Sequence, residues 1–101
     1  MAMLHTVNKS PFEINSLERC LQMAKSGSSV LLIEDGVYGA LDGTVFSAKV
    51  KAADGLTTYV LGPDLKTRGL DPAKLIEGIE IIDYGGFVQL VADHDRIQSW
   101  L

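Results

Sequence analysis

Cys20 is the one side chain in this sequence able to act as a strong nucleophile, and a lone cysteine forms no disulfide within the chain. The thiolate is the reactive species, and an ordinary thiol of pKa ~8.5 is only about 3% ionised at pH 7. A helix would bring Ser16, Leu17, Met23 and Ala24 onto the same face, and none of these is cationic. Cys20 also lies beyond the first helical turn, where the backbone dipole would favour an anion. The local sequence therefore does not activate the thiol. Two readings stand: a small buried hydrophobe on the inner stripe of a helix, or a thiol activated by residues distant in sequence or on another chain.

Asp35, Asp64 and Asp83 form a second candidate set. Each follows a β-prone run and precedes a connection bearing glycine or proline. Along one sheet edge they could bind a metal or an amine, but aspartate at such places also caps helices and shapes turns. His5 falls inside a strand, and His94, between Asp93 and Asp95, is expected on a solvated helix face. Two histidines and one cysteine this far apart give no zinc spacing. The glycines make no phosphate-binding fingerprint, and no Gly-x-Ser-x-Gly elbow occurs. No metal and no cofactor are expected. Tyr38, beside a glycine turn, and Trp100, near the end of the sequence, are candidate interface anchors, because rings bring much contact area at low entropic cost. Phe46 and Phe87 are the candidates for filling the core.

The element that must position these residues is Val30-Leu31-Leu32-Ile33, which ends abruptly in Glu34-Asp35-Gly36. An unbroken aliphatic run suits a strand buried on both faces, and the C-terminal end of such a strand is where open α/β sheets collect their chemistry. Met3–Val7 reads as a first strand, stopped by Pro11. Asn15 followed three residues later by Glu18 reads as a helix start, and Leu17, Cys20, Leu21 and Ala24 form one apolar stripe of a helix running to Gly27. Residues 36–41 read as a tight connection or short helix, and 44–53 as a helix. Residues 57–61 form a third strand, and a short helix opens at Gly62-Pro63 and ends at Gly69. Asp71-Pro72 caps another turn. Residues 79–83 form a fourth strand, and Tyr84 to Trp100 is expected to be mostly one helix, with Ile97 continuing its apolar face. Strand and helix in alternation argue for α/β architecture: a mainly parallel sheet of four to five strands with helices on both faces, in a single small domain spanning 1–101.

Composition narrows the function. The 101 residues are 47% hydrophobic and 22% charged, as in an ordinary globular domain, and the positive mean hydropathy hints at apolar surface covered by another subunit. A net charge of -4 without a lysine or arginine cluster argues against direct DNA binding. No stretch approaches a membrane span, so no membrane partner is expected, and a lone free thiol suits the cytoplasm.

Four segments together resemble the TusB/DsrH family. They are Met3-Leu4-His5-Thr6 with Lys9-Ser10-Pro11; Leu32 to Val37; Tyr59-Val60-Leu61 with Asp64-Leu65 and Arg68-Gly69-Leu70; and Ile82-Asp83-Tyr84 with Phe87-Val88, Leu90 and Trp100. The resemblance implies a small DsrE/F/H-like α/β subunit of a cytoplasmic sulfurtransferase complex, built with homologous DsrE/TusD-like and DsrF/TusC-like chains. Such complexes pass persulfide sulfur to or from carriers of the TusA, DsrC or TusE kind. In the TusBCD form the sulfur goes towards 2-thiouridine at the tRNA wobble position; in the DsrEFH form it serves sulfur oxidation. The resemblance places the principal sulfur-carrying cysteine on the TusD/DsrE-type partner. DsrH-type chains carry a cysteine in the first helix, where this sequence has Cys20, which makes it a candidate secondary persulfide carrier. The alternatives are a purely structural subunit of that complex and a stand-alone small-molecule-binding domain using the aspartate edge.

Overall fold

The aliphatic run is the centre of the sheet. In the computed structural model, which describes residues 3–101, the strands are β1 (Met3–Val7), β2 (Ser29–Leu32), β3 (Thr57–Leu61), β4 (Glu80–Ile82) and β5 (Arg96–Trp100). All pair in parallel, in the order β4-β3-β2-β1-β5. Val30, Leu31 and Leu32 of the middle strand expose no surface. Alternate side chains point to opposite faces, and both faces are covered. Leu31 joins Leu4 and Leu90 on one side, while Val30 and Leu32 join Val7, Leu17, Cys20, Val37, Val50, Val60 and Leu65 on the other.

The helices divide unequally between those faces. α1 (Ser16–Met23), α2 (Ser47–Lys51) and α3 (Gly62–Thr67) contribute Leu17, Cys20, Val50 and Leu65 to the larger core. α4 (Tyr84–Asp93) contributes Leu90, with Phe87 packed alongside, to the smaller one. The strand order explains the division. From β1 to β4 the chain steps in one direction across the sheet, so right-handed crossovers lay α1, α2 and α3 on one face. The return from β4 to β5 runs the other way across the whole sheet, and the same handedness sends α4 alone to the opposite face.

Three expectations change. The last segment is not one helix: α4 stops at Asp93, and residues 96–100 form β5, in register with β1 from Met3↔Arg96 to Val7↔Trp100. Ile97 therefore does not continue a helical face but pairs with Leu4 on the face that α4 covers. The strand is nearly all exposed, so its residues carry no alternating apolar signature, and pairing with β1 decides its conformation. The first helix ends at Met23 rather than at Gly27, and Asn15 occupies the N-cap position without a side-chain capping bond. Gly27 instead adopts a φ of 91° and donates its N–H to the Gly55 carbonyl, tying two loops together. The helix expected over 44–53 is only Ser47–Lys51, while Glu34–Ala40 winds as a 3₁₀ segment.

Candidate functional site

The C-terminal end of β2 is tightly built. Ile33 donates its N–H to the Val7 carbonyl at 3.0 Å, and Glu34 turns the chain with a φ of 50°, a left-handed conformation that costs a side-chain-bearing residue energy. The Glu34 amide is held by Asp64 Oδ2 at 2.6 Å. Asp35 Oδ1 accepts from both Nε and Nη2 of Arg68, each at 2.9 Å, and Arg68 Nη1 donates to the Asp64 carbonyl at 3.3 Å. Two of the three candidate aspartates thus meet Arg68, Asp35 through its carboxylate and Asp64 through its backbone carbonyl. Asp83 stands apart, because its Oδ1 accepts the Gly86 N–H at 2.8 Å and caps α4.

A built-in guanidinium occupies the place where a metal or amine was entertained, and among the described residues no group of three His, Cys, Asp or Glu side chains could hold a metal ion. The arrangement braces the loop after β2 against α3. Asp35 is half exposed, so the ion pair itself contributes no more than about 1 kcal/mol. Arg68 was not singled out from the sequence, although its place four residues after Asp64, one helical turn on, was a usable signal.

Cys20 lies wholly inside the larger core, and burial pushes its thiol from the usual range up to about 12. The groove between α1 and α2, about 360 Å³, is lined by Glu18, Leu21, Gln22, Lys49, Ala52 and Ala53 and not by the cysteine. A Lys49–Glu18 ion pair joins its two walls.

The aromatic and histidine candidates go elsewhere. Trp100 is half-buried against the larger core, and its Nε1–H donates to His5 Nδ1 at 3.0 Å, so its polar handle is already used within the chain. Tyr38 is half-buried in the 3₁₀ segment. Phe87 packs on the smaller core as expected, whereas Phe46 forms an edge-on pair with the exposed ring of Phe12, with centroids 5.2 Å apart. His94 is not on a solvated face: its Nδ1 lies 2.6 Å from the Leu90 carbonyl and its Nε2 2.9 Å from Ser29 Oγ, fastening the end of α4 to the start of β2.

His5 accepts a proton at the cost of the Trp100 bond, and burial lowers its pKa. The unfolded chain then binds the proton more readily than the folded one. Stability is therefore expected to decline as pH falls through the unfolded value near 6.5, and to level off below the folded value. Urea denaturation at a series of pH values, compared with His5→Gln, checks this. The variant should lose that part of the pH dependence, and an unchanged profile would refute the assignment.

One surface remains. Tyr84, Val88 and Val91 lie at i, i+4 and i+7 on a flank of α4 beside the inward Phe87 and Leu90, and are 60%, 69% and 39% exposed.

These features define a class: a small parallel α/β domain with a buried thiol, an apolar helix face left bare and, among the described residues, no cluster of side chains that could hold a metal ion. Comparison with known proteins agrees. A family model described as DsrH like protein matches residues 9–97. Protein TusB of Pectobacterium parmentieri is 34% identical over 98 residues, covering 97% of this chain and 100% of the relative. Protein TusB of Erwinia tasmaniensis is 38% identical over 99 residues, with the same coverage. Among solved structures, the ychN protein of E. coli superposes with a TM-score of 0.84 at 18% identity over 98% of both chains. A protein of unknown function from Methanobacterium thermoautotrophicum superposes with a TM-score of 0.68 at 17% identity over 96% of both. The chain belongs to the DsrH family, and its curated relatives named here are TusB proteins.

Proposed function

We propose that this chain is a subunit of a heteromeric sulfur-relay complex, in which homologous DsrE/TusD-like and DsrF/TusC-like chains accompany it and the sulfur-bearing cysteine belongs to a partner. Family membership supports the complex, and the TusB names of its relatives favour the branch leading to tRNA wobble-uridine thiolation. The observation that carries the division of labour is Cys20. A persulfide relay needs a thiolate, a path to it and a surface on which a carrier can dock. Cys20 has no exposed surface, and its thiol is pushed up to about 12. The chain then shapes the assembly while a partner's thiolate exchanges sulfur with carriers of the TusA, DsrC or TusE kind. In the second reading Cys20 is a secondary acceptor. It requires α1 to open in the assembly, and the DsrH-like position of the cysteine favours it.

Native mass spectrometry of the complex, loaded with a persulfide donor, separates the two. The expected result is co-purification with two homologous small chains, a one-sulfur mass increment on a partner, and none on this chain. Sulfur transfer by the complex carrying Cys20→Ala should stay within about twofold of wild type. An increment on this chain that disappears in Cys20→Ala would establish the acceptor reading. A bare monomer under gentle conditions would remove the complex altogether.

A further inference from the structure

The exposed apolar stripe of α4 lies in an acidic setting. Residues 75–95 hold five acids, Glu77, Glu80, Asp83, Asp93 and Asp95, and no lysine or arginine. The rest of the chain carries eight acids against nine lysines and arginines, so the whole negative excess of this protein sits in that segment. All five carboxylates are on exposed residues. None takes part in a salt bridge among the described residues; the three ion pairs there use Glu18, Asp42 and Asp35 instead. Between the acids run Tyr84, Val88 and Val91, and Ile97, 49% exposed, lies on the same sheet face. Together with Phe87 and Leu90 this stripe makes an apolar sector wider than the sheet covers, the signature of a helix that a second surface also covers. Its ends are fixed, by the Asp83 cap at one and by His94 on Ser29 at the other, so the stripe is presented rigidly.

We infer that this face of α4 docks a protein chain whose apolar patch is rimmed by lysine and arginine; on the reading proposed above, that chain is one of the two homologous subunits. Charge selects the occupant. A second copy of this chain would bring acidic rim against acidic rim, and like charges facing across an interface cost affinity. An anionic membrane or a nucleic acid is repelled for the same reason. A basic-rimmed chain gains on both counts, because the apolar centre supplies the burial and the rim supplies register and encounter rate.

The test is affinity between this chain and each homologous partner subunit, purified separately and measured at low and at high salt. Val88→Asn with Val91→Asn is expected to weaken binding to one partner at least tenfold, while Val45→Asn, more exposed than either and outside α4, leaves it within twofold. Asp93→Lys with Asp95→Lys is expected to weaken binding by a similar factor and to flatten its salt dependence. Melting curves of the variants should match wild type, and the charge pair keeps the test decisive if the valine pair does not fold. Wild-type binding to a partner that none of these variants affects would overturn the docking face and leave the complex standing. Self-association lost in Val88→Asn with Val91→Asn would overturn the occupant. Failure of the wild type to bind either homologous chain would overturn the complex and the docking face together.

Discussion

Gly36→Ala is expected to destabilise the fold by about 3 to 5 kcal/mol, at the upper end of what single substitutions do. A Cβ built on Gly36 would lie 2.0 Å from the Val7 carbonyl oxygen and 2.8 Å from its carbon, both backbone atoms of the neighbouring strand. No rotamer change relieves such a contact. Either the 3₁₀ segment moves off the end of β1, carrying Val37 and Ala40 out of the larger core, or β1 and β2 part at their ends, where Val7 also accepts the Ile33 N–H. Urea denaturation of the variant checks the effect. Gly39→Ala is a graded comparison, because its Cβ would meet the tip of the Leu17 side chain at 2.5 Å, which can yield. A Gly36 variant as stable as wild type would refute the tight strand-end packing.

The second large effect concerns the thiol. Raising the Cys20 pKa from 9.0 to about 12 lowers its thiolate fraction at neutral pH about a thousandfold. A more basic thiolate is intrinsically more nucleophilic, with a Brønsted coefficient of about 0.4–0.5, which recovers a factor of about 20. The remaining deficit is about fiftyfold for attack by the closed chain, and a side chain without exposed surface otherwise reacts only when the helix opens. Disulfide-exchange labelling of the native isolated chain should therefore run on the order of fifty times slower than labelling of the urea-unfolded chain. Equal rates would place the thiol at the surface and return the persulfide-carrier role to Cys20. Labelling in the assembled complex asks separately whether a partner opens access.

Much of this architecture is legible in the residues, and the failures have physical causes. Val30-Leu31-Leu32-Ile33 announces a doubly covered strand because a strand exposed on one face would alternate apolar and polar residues. Asp71-Pro72 and Gly62-Pro63 announce their short helices because capping and the fixed φ of proline act locally. The last strand was lost because it is an edge: with most of its side chains in solvent it has no period of its own, and its partner is more than ninety residues away in sequence. The aspartate edge was half legible. Strand ends followed by glycine or proline located the three carboxylates, but only the fold could bring Arg68 between Asp35 and Asp64 and leave Asp83 as a cap. Apolar spacing in α4 likewise gives a helix its faces without saying how much of them the sheet covers.

The pairing of β5 with β1 also sets an order of events during synthesis. β1 is the first strand to leave the ribosome, yet one of its two edges finds its partner only when residues 96–100 have been made. Until then the nascent sheet presents an open strand edge, and α4 has no β5 to lead into. Closing a loop of that length is slow compared with local helix formation. Pairing with β5 thus replaces the buried β1 by a mostly exposed strand at that edge, and until residues 96–100 are made the apolar β1 edge is a ready template for pairing with other chains. Truncation just before Arg96 is therefore a more hazardous lesion than the loss of five exposed residues suggests.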